Sequence, residues 1–165
     1  MKITLRGYTE NDALPLYKMC LDEEVSKSGI HSFSSVDESL EIIQSRIDDS
    51  GFKVISDEND RLIGFISLCD MNRYEGYMEL EYAVTQECRN KGIATRAILR
   101  MCAIGFEEMG VQVIAAWVRS HNEASVRVLE KCGFTYEGRL RQHARDKSDT
   151  LCYSILREEW ENREI

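Results

Sequence analysis

The sequence predicts an α/β fold, a mixed and twisted central sheet flanked by helices, on three observations. Stretches with strand-like and helix-like periodicity alternate along the chain. An apolar run, Val111 to Val118, broken only by Gln112, suits a buried parallel strand. At 165 residues, with 43% apolar and 30% charged side chains, the chain can bury a core without disulfides or a structural metal and has little room for a second domain. No repeat or low-complexity tract interrupts it and Pro15 is its only proline, so residues 1–165 read as a single domain.

Ile3 to Arg6 is a short β-like run, and Thr9-Glu10-Asn11-Asp12 supplies capping oxygens ahead of a helix striped with Leu14, Leu16, Tyr17, Cys20 and Leu21. After a polar loop around Ser26 to Ser35, Val36-Asp37-Glu38 opens a second amphipathic helix with Leu40, Ile43 and Ile47 on one face. Phe52 to Ile55 and Leu62 to Leu68 read as a hairpin turning at Asp57 to Asp60. Met78 to Val84 alternates, setting Met78, Leu80, Tyr82 and Val84 on one face and Glu79, Glu81 and Ala83 on the other. Thr95 to Met109 is helical with Gly110 as its stop. Asn122 to Lys131 forms a further helix closed by Gly133, and Phe134 to Leu140 and Thr150 to Leu156 complete the strands.

Composition narrows the function. With 21 basic and 29 acidic side chains the net charge is −8, which argues against neutralising nucleic-acid phosphates or anionic lipid and favours encounter with a cation. Six cysteines, at 20, 69, 88, 102, 132 and 152, form no CxxC pair and no ligand-like cluster with the three histidines, so they read as core thiols in a reducing compartment and no metal is expected. The N-terminal residues have no signal-like pattern and no stretch reaches the ~18 apolar residues of a membrane span, so the cytoplasm is the expected location. His31, His121 and His143 lack a nucleophile partner at hydrolase spacing. Trp117 and Phe134 read as core, and Asp48-Asp49 and the tail Glu158 to Glu164 as solvated faces.

The segment that carries chemistry joins the strand ending at Val84 to the following helix: Arg89-Asn90-Lys91-Gly92-Ile93-Ala94-Thr95. A helix N-terminus presents unpaired N–H groups and the positive end of its dipole, while Gly92 and Ala94 leave the backbone open to approach. A solvated basic turn and an anion site are both open readings of these residues. Neither GxxxxGK[ST] nor GxGxxG is present.

Arg89-Asn90-Lys91-Gly92-Ile93-Ala94 fits the Q/R-x-x-G-x-G/A signature of the GNAT superfamily of acetyl-CoA-dependent N-acetyltransferases, and Asn122 through Phe134 (NEASVRVLEKCGF) resembles a second block of that family. The resemblance runs from about Leu62 to Leu156. It is strongest to the branch holding Rim-type acetyltransferases, which act on ribosomal-protein N-termini, and polyamine acetyltransferases. It implies a sheet split between its fourth and fifth strands, with the pantetheine arm of acetyl-CoA in the gap beside Tyr82, Ala83 and Val84. The amides of Asn90, Lys91, Gly92, Ile93, Ala94 and Thr95 would hold the pyrophosphate, with the Arg89 and Lys91 side chains as further charge contacts. Asn122 would contact the cofactor arm, cap its helix, or do both.

Acetyl transfer to an amine needs a neutral nucleophile, a stabilised oxyanion and a proton for the departing thiolate. Glu79 and Glu81 are the base candidates, Glu79 being the better family match, and a backbone N–H near Tyr82 to Val84 would take the oxyanion. Many family members carry a tyrosine acid immediately before the E-K-x-G-F stretch; here that position is Leu129, which donates no proton, and Ser125 one helical turn earlier is the substitute. His31 and Phe33, in the loop Gly29 to Ser35, and Tyr153 are the acceptor-site candidates. The expected acceptor is a primary amine, on a protein N-terminus or a small polyamine. The alternative is a non-catalytic acyl-CoA-binding sensor. The family allows a homodimer, although no apolar stripe marks an interface.

Overall fold

The computed structural model describes residues 1–163, which form two packed units. The first comprises Met1–Ser67 with Tyr82–Ala97, and the second Leu68–Glu81 with the chain from Ile98 onward. Among the described residues seven strands are present: β1 (Thr4–Arg6), β2 (Phe52–Ser56), β3 (Leu62–Asp70), β4 (Tyr77–Val84), β5 (Val113–Arg119), β6 (Thr135–Leu140) and β7 (Thr150–Leu156). Their order in the sheet is β1-β2-β3-β4-β5-β7-β6, and β4 and β5 are parallel. The helices are α1 (Ala13–Cys20), α2 (Glu23–Lys27), α3 (Val36–Arg46), α4 (Ile93–Ala103), α5 (Glu123–Lys131) and α6 (Arg157–Glu161).

In the first unit β1, β2 and β3 are antiparallel, and Tyr8, Leu16, Met19, Val25, Ile43, Val54, Leu62, Phe65 and Ala83 share one core. The helix stripe differs from the expected one. Leu14 and Leu21 are 47% and 55% exposed, and Ile47, just past the end of α3, 40%, while Ala13, Leu16, Met19 and Cys20 are buried. The cause is a close contact between α1 and α3: the buried hydroxyl of Ser39 donates to Ala13 O at 2.8 Å, so small side chains occupy the line where the helices meet. The segment expected as loop holds α2 at its start. Asp22 caps it, its Oδ1 accepting from the amides of Glu24 at 3.0 Å and Val25 at 3.2 Å.

Gly64 of β3 shows how tightly this unit is built. A Cβ there would lie 2.5 Å from Ala83 O and 3.2 Å from Val84 Cα, both main-chain atoms that cannot yield without parting β3 from β4. Gly64→Ala is therefore expected to cost about 1–3 kcal/mol. The measurement is urea unfolding, with a lower midpoint at unchanged slope; an unchanged midpoint would show that the strands can separate freely.

In the second unit β4 and β5 share three rungs, Tyr77↔Val113 to Glu79↔Ala115, whereas β5 and β7 share seven. The short ladder accords with a sheet that opens between its fourth and fifth strands. Residues directly paired across strands point to the same face. One face carries Leu80, Ile114, Ala116, Val118, Tyr153 and Ile155, all buried. Helices cover that face: Gly105, in the π turn Ile104–Glu108 that ends α4, abuts the Leu68 and Ile114 side chains, and Glu130 of α5 accepts from the Tyr153 hydroxyl. The opposite face carries Glu79, Ala115, Trp117, Cys152 and Ser154. The sequence pattern does not signal α6, whose Trp160 lies 5.6 Å from Phe106 and donates to Glu107 at 3.3 Å. Glu158 and Glu161 are exposed as expected of the acidic tail, and Glu164 lies outside the described residues. Burial pushes the Cys102 thiol up to about 12 and the Cys132 thiol up to about 11, as for inert core thiols.

Candidate active site

In the first unit β4 ends at Val84 and gives way to a tight turn, Gln86–Cys88, and then to the glycine loop. Asn90 and Gly92 both adopt left-handed backbone, φ 57° and 69°, a conformation that asparagine tolerates and glycine adopts at no steric cost. Gly92 O accepts from Arg96 N at 3.2 Å, which starts α4, and buried Ile93 fixes its first turn in the core. A Cβ on Gly92 would meet nothing within 4 Å, so the outer side of the loop is open. Asn90, Lys91 and Gly92 are exposed, Ala94 and Thr95 half-buried. Exposed backbone with short side chains, entering a helix N-terminus, fits a diphosphate. Tyr82 and Val84 are half-buried and Ala83 is buried.

The two cations of the loop differ. Lys91 is exposed and forms no ion pair among the described residues; with Glu87 it borders a concavity of about 270 Å³ that also takes in Asp57, Arg61 and Cys88. Arg89 is occupied, its Nη1 donating to Glu24 Oε2 and its Nη2 to Asp22 Oδ1, each at 2.8 Å.

His31 and Phe33 also belong to the first unit. Their rings meet edge to face at 5.3 Å, and Phe33 packs on the core. Glu38 pins the loop, accepting from Ser34 N at 2.6 Å and Ser34 Oγ at 2.7 Å and lying 3.3 Å from His31 Nε2. These bonds pull its carboxyl down to about 2.

In the second unit Glu79 is half-buried on β4. Burial pushes its carboxyl above the ordinary glutamate value, the Glu81 charge adds to the rise, and Arg73 opposes it. That is the direction a general base for neutral-pH work requires. Glu79 is paired with Ala115, which is paired with Ser154, and Ser154 Oγ donates to Glu137 Oε1 at 2.6 Å. Glu137 sits in a bulge, where the register shifts between Tyr136 and Gly138. The Cys152 thiol is raised by burial and then by Glu79 and Glu137, so the two carboxylates bear on one neighbourhood. Trp117 adds an aromatic surface on the same face, its ring 5.2 Å from that of His143. Thr135 pairs with Ser154 on this face, so period two along β6 carries Glu137 to it as well; Glu137 escapes sequence reading because nothing local to it shows that β6 lies beside β7 in this register.

Asn122 caps α5, its Oδ1 accepting from Ser125 N at 3.2 Å, and its Nδ2 makes no hydrogen bond among the described residues. Ser125 is half-buried on the first turn of the helix, and Leu129 is buried in the core. Tyr153 points to the face opposite Glu79, 4% exposed, its hydroxyl donating to Glu130 at 3.1 Å. The second unit thus brings Glu79 and Glu81 together on one strand and Asn122 and Ser125 together on one helix turn, and sets Tyr153 apart.

The family model for the acetyltransferase (GNAT) domain matches residues 2–135, most of the chain. The protein belongs to the GNAT acetyltransferase family. YokL, an uncharacterized N-acetyltransferase derived from the SPbeta prophage of Bacillus subtilis, is 31% identical over 165 residues, covering 96% of this chain and 92% of the relative. A spermidine N(1)-acetyltransferase of Vibrio cholerae is 25% identical over 142 residues, covering 84% and 82%. The crystal structure of spermidine N-acetyltransferase from Vibrio cholerae in complex with CoA and spermine superposes with a TM-score of 0.86 at 24% identity, covering 97% of this chain and 98% of that one, which shows the shared fold. Among the described residues no helix is long and apolar enough to cross a membrane.

Proposed function

We propose that the whole chain acts as one catalytic domain that transfers an acetyl group from acetyl-CoA to a primary amine. The observation that carries this reading is the loop between β4 and α4, whose left-handed Asn90 and Gly92 leave exposed backbone at a helix N-terminus in a GNAT chain. Acetyl-CoA supplies an activated thioester. The amides of Asn90 to Thr95 hold its diphosphate and Lys91 adds charge. Glu79 removes the proton that an alkylammonium, with a pKa of about 10, must lose before attack. A backbone N–H near Tyr82 to Val84 takes the oxyanion, and the Ser125 hydroxyl relays a proton from water to the departing sulfur, taking one up as it gives one, while the resulting hydroxide takes the second proton from the acylated nitrogen.

The acceptor is a small cationic amine. Supporting this are the net charge of −8, the carboxylates of Glu79 and Glu81 on one face with Glu137 brought to the same side, and the likeness to a relative named for spermidine. A protein N-terminal amine is the second acceptor class to test. The experiment is thiol release with a panel of diamines, polyamines and peptides. Acetylated amine and free CoA appearing in equal amounts are expected. Tight CoA binding without thiol release by any amine would identify a sensor instead, and no heat on adding CoA thioesters would overturn the reading altogether.

Asn122 has two roles that separate by substitution. Asn122→Ser keeps a capping oxygen but loses Nδ2, so unfolding is unchanged while the KM for acetyl-CoA rises. Asn122→Ala also removes the cap and costs about 1 kcal/mol of stability. If Asn122→Ser leaves the KM unchanged, the residue is a cap alone.

A further inference from the structure

We infer that Arg89 is a positioning residue that ties the diphosphate loop to α2, so that occupancy of the loop stiffens the segment leading to His31 and Phe33. The inference rests on the reading of that loop as the CoA diphosphate site.

Arg89 opens the loop, and its guanidinium is engaged at both Nη atoms, with Asp22 and Glu24 at 2.8 Å each. Its side chain is 22% exposed and that of Asp22 23%, so this pair is better shielded from water than an ordinary surface ion pair. Asp22 is also the cap of α2: the same Oδ1 that receives Arg89 accepts the amides of Glu24 and Val25. The Arg89 bond, more than the capping amides, holds the Asp22 carboxyl below its ordinary value.

A helix of five residues has no autonomous stability, and its placement depends on tertiary anchors. Buried Val25 is one anchor and Arg89 another. What α2 does is passed on directly. Ser28 N donates to Glu24 O at 3.2 Å, Ser28 Oγ to Val25 O at 2.6 Å and Gly29 N to Ser26 O at 3.1 Å, and the chain then runs through Ile30 and Phe33, both packed on the core. Diphosphate binding restrains Asn90 to Thr95, hence Arg89, hence Asp22 and α2. Lys91, by contrast, pairs with no carboxylate among the described residues and remains available to the anion. The two cations of one loop therefore have different tasks, and linkage between two sites is reciprocal.

The test is hydrogen exchange on the whole protein with CoA as the only added ligand. In the wild type CoA is expected to slow exchange in residues 90–97 and, by about fivefold or more, in residues 24–29. In Arg89→Ala, at saturating CoA, protection at 90–97 persists while that at 24–29 falls below about twofold; Glu24→Gln gives an intermediate loss and Arg89→Lys a partial rescue. Lys91→Ala weakens CoA binding but, once saturated, keeps the α2 protection. For the amine that the panel identifies, Arg89→Ala raises the KM about fivefold or more while kcat stays within about twofold. Protection at 90–97 with none at α2 in the wild type, or α2 protection that survives Arg89→Ala, overturns the inference and leaves the proposed function standing. No protection anywhere overturns both. Should Arg89→Ala fail to fold, Glu24→Gln and Arg89→Lys decide, since both keep a partner for the loop.

Discussion

Glu79→Gln is expected to lower kcat by about 10²- to 10⁴-fold near neutral pH, the usual contribution of a positioned general base, with the KM for acetyl-CoA little changed. The sign of the pH dependence follows from the environment of the carboxyl. Burial first, and then the charge on Glu81, push it above the ordinary value of 4.5, against the pull of Arg73. A base works only when ionised, so the acid limb of the rate profile should fall at a pH above that of an ordinary glutamate. Glu81→Gln removes a like charge and should move that limb to lower pH. In Glu79→Gln the limb disappears, and the residual rate should keep climbing with pH as free amine replaces an ammonium of pKa about 10. Steady-state rates over a pH series, with each amine saturating, test this. Full activity in Glu79→Gln at every pH would remove Glu79 from the chemistry and turn attention to Glu81.

Gly92→Val has the second largest expected effect, and it should appear in cofactor binding. At φ 69° a β-branched residue carries about 1–3 kcal/mol of strain. The space around the added Cβ is open, so no clash inside the protein contributes. The protein can relieve the strain only by reshaping the loop, which turns the amides of Ile93 to Thr95 away from a diphosphate, and the isopropyl group stands where the ligand would approach. CoA affinity should fall about 10- to 100-fold, by calorimetry, with Gly92→Ala between the two. Unfolding should show only a modest loss, because the loop is at the surface. An unchanged dissociation constant for CoA would show that the loop is a turn and nothing more.

Several parts of the candidate site were legible because the chemistry that places them is local. A glycine with a basic neighbour before a helix is a statement about backbone shape and dipole, which depend on a handful of adjacent residues, and Asn90 and Gly92 take the left-handed conformations such a loop needs. Alternation along β4 is likewise local, so the shared face of Glu79 and Glu81 followed from period two. The Asn122 cap could be read from its place before an amphipathic helix.

Other features depend on partners far along the chain. Arg89 reads as a cation for phosphate until folding brings it to Asp22, 67 residues earlier. The exposed Leu14 and Leu21 look like core until Ser39 draws α3 onto α1 through Ala13. Glu137 joins the side of Glu79 only because β6 pairs with β7 in a register that sets Thr135 against Ser154, and Tyr153 leaves it because its register with β5 turns the ring toward α5. Periodicity and capping act within one or two turns of chain, so the amino-acid order settles most of the elements, the backbone shape of the glycine loop and the pair of strand carboxylates. Which charge answers which, and which face a side chain ends on, are settled by register and packing between segments, whose energies exist only once those segments have met.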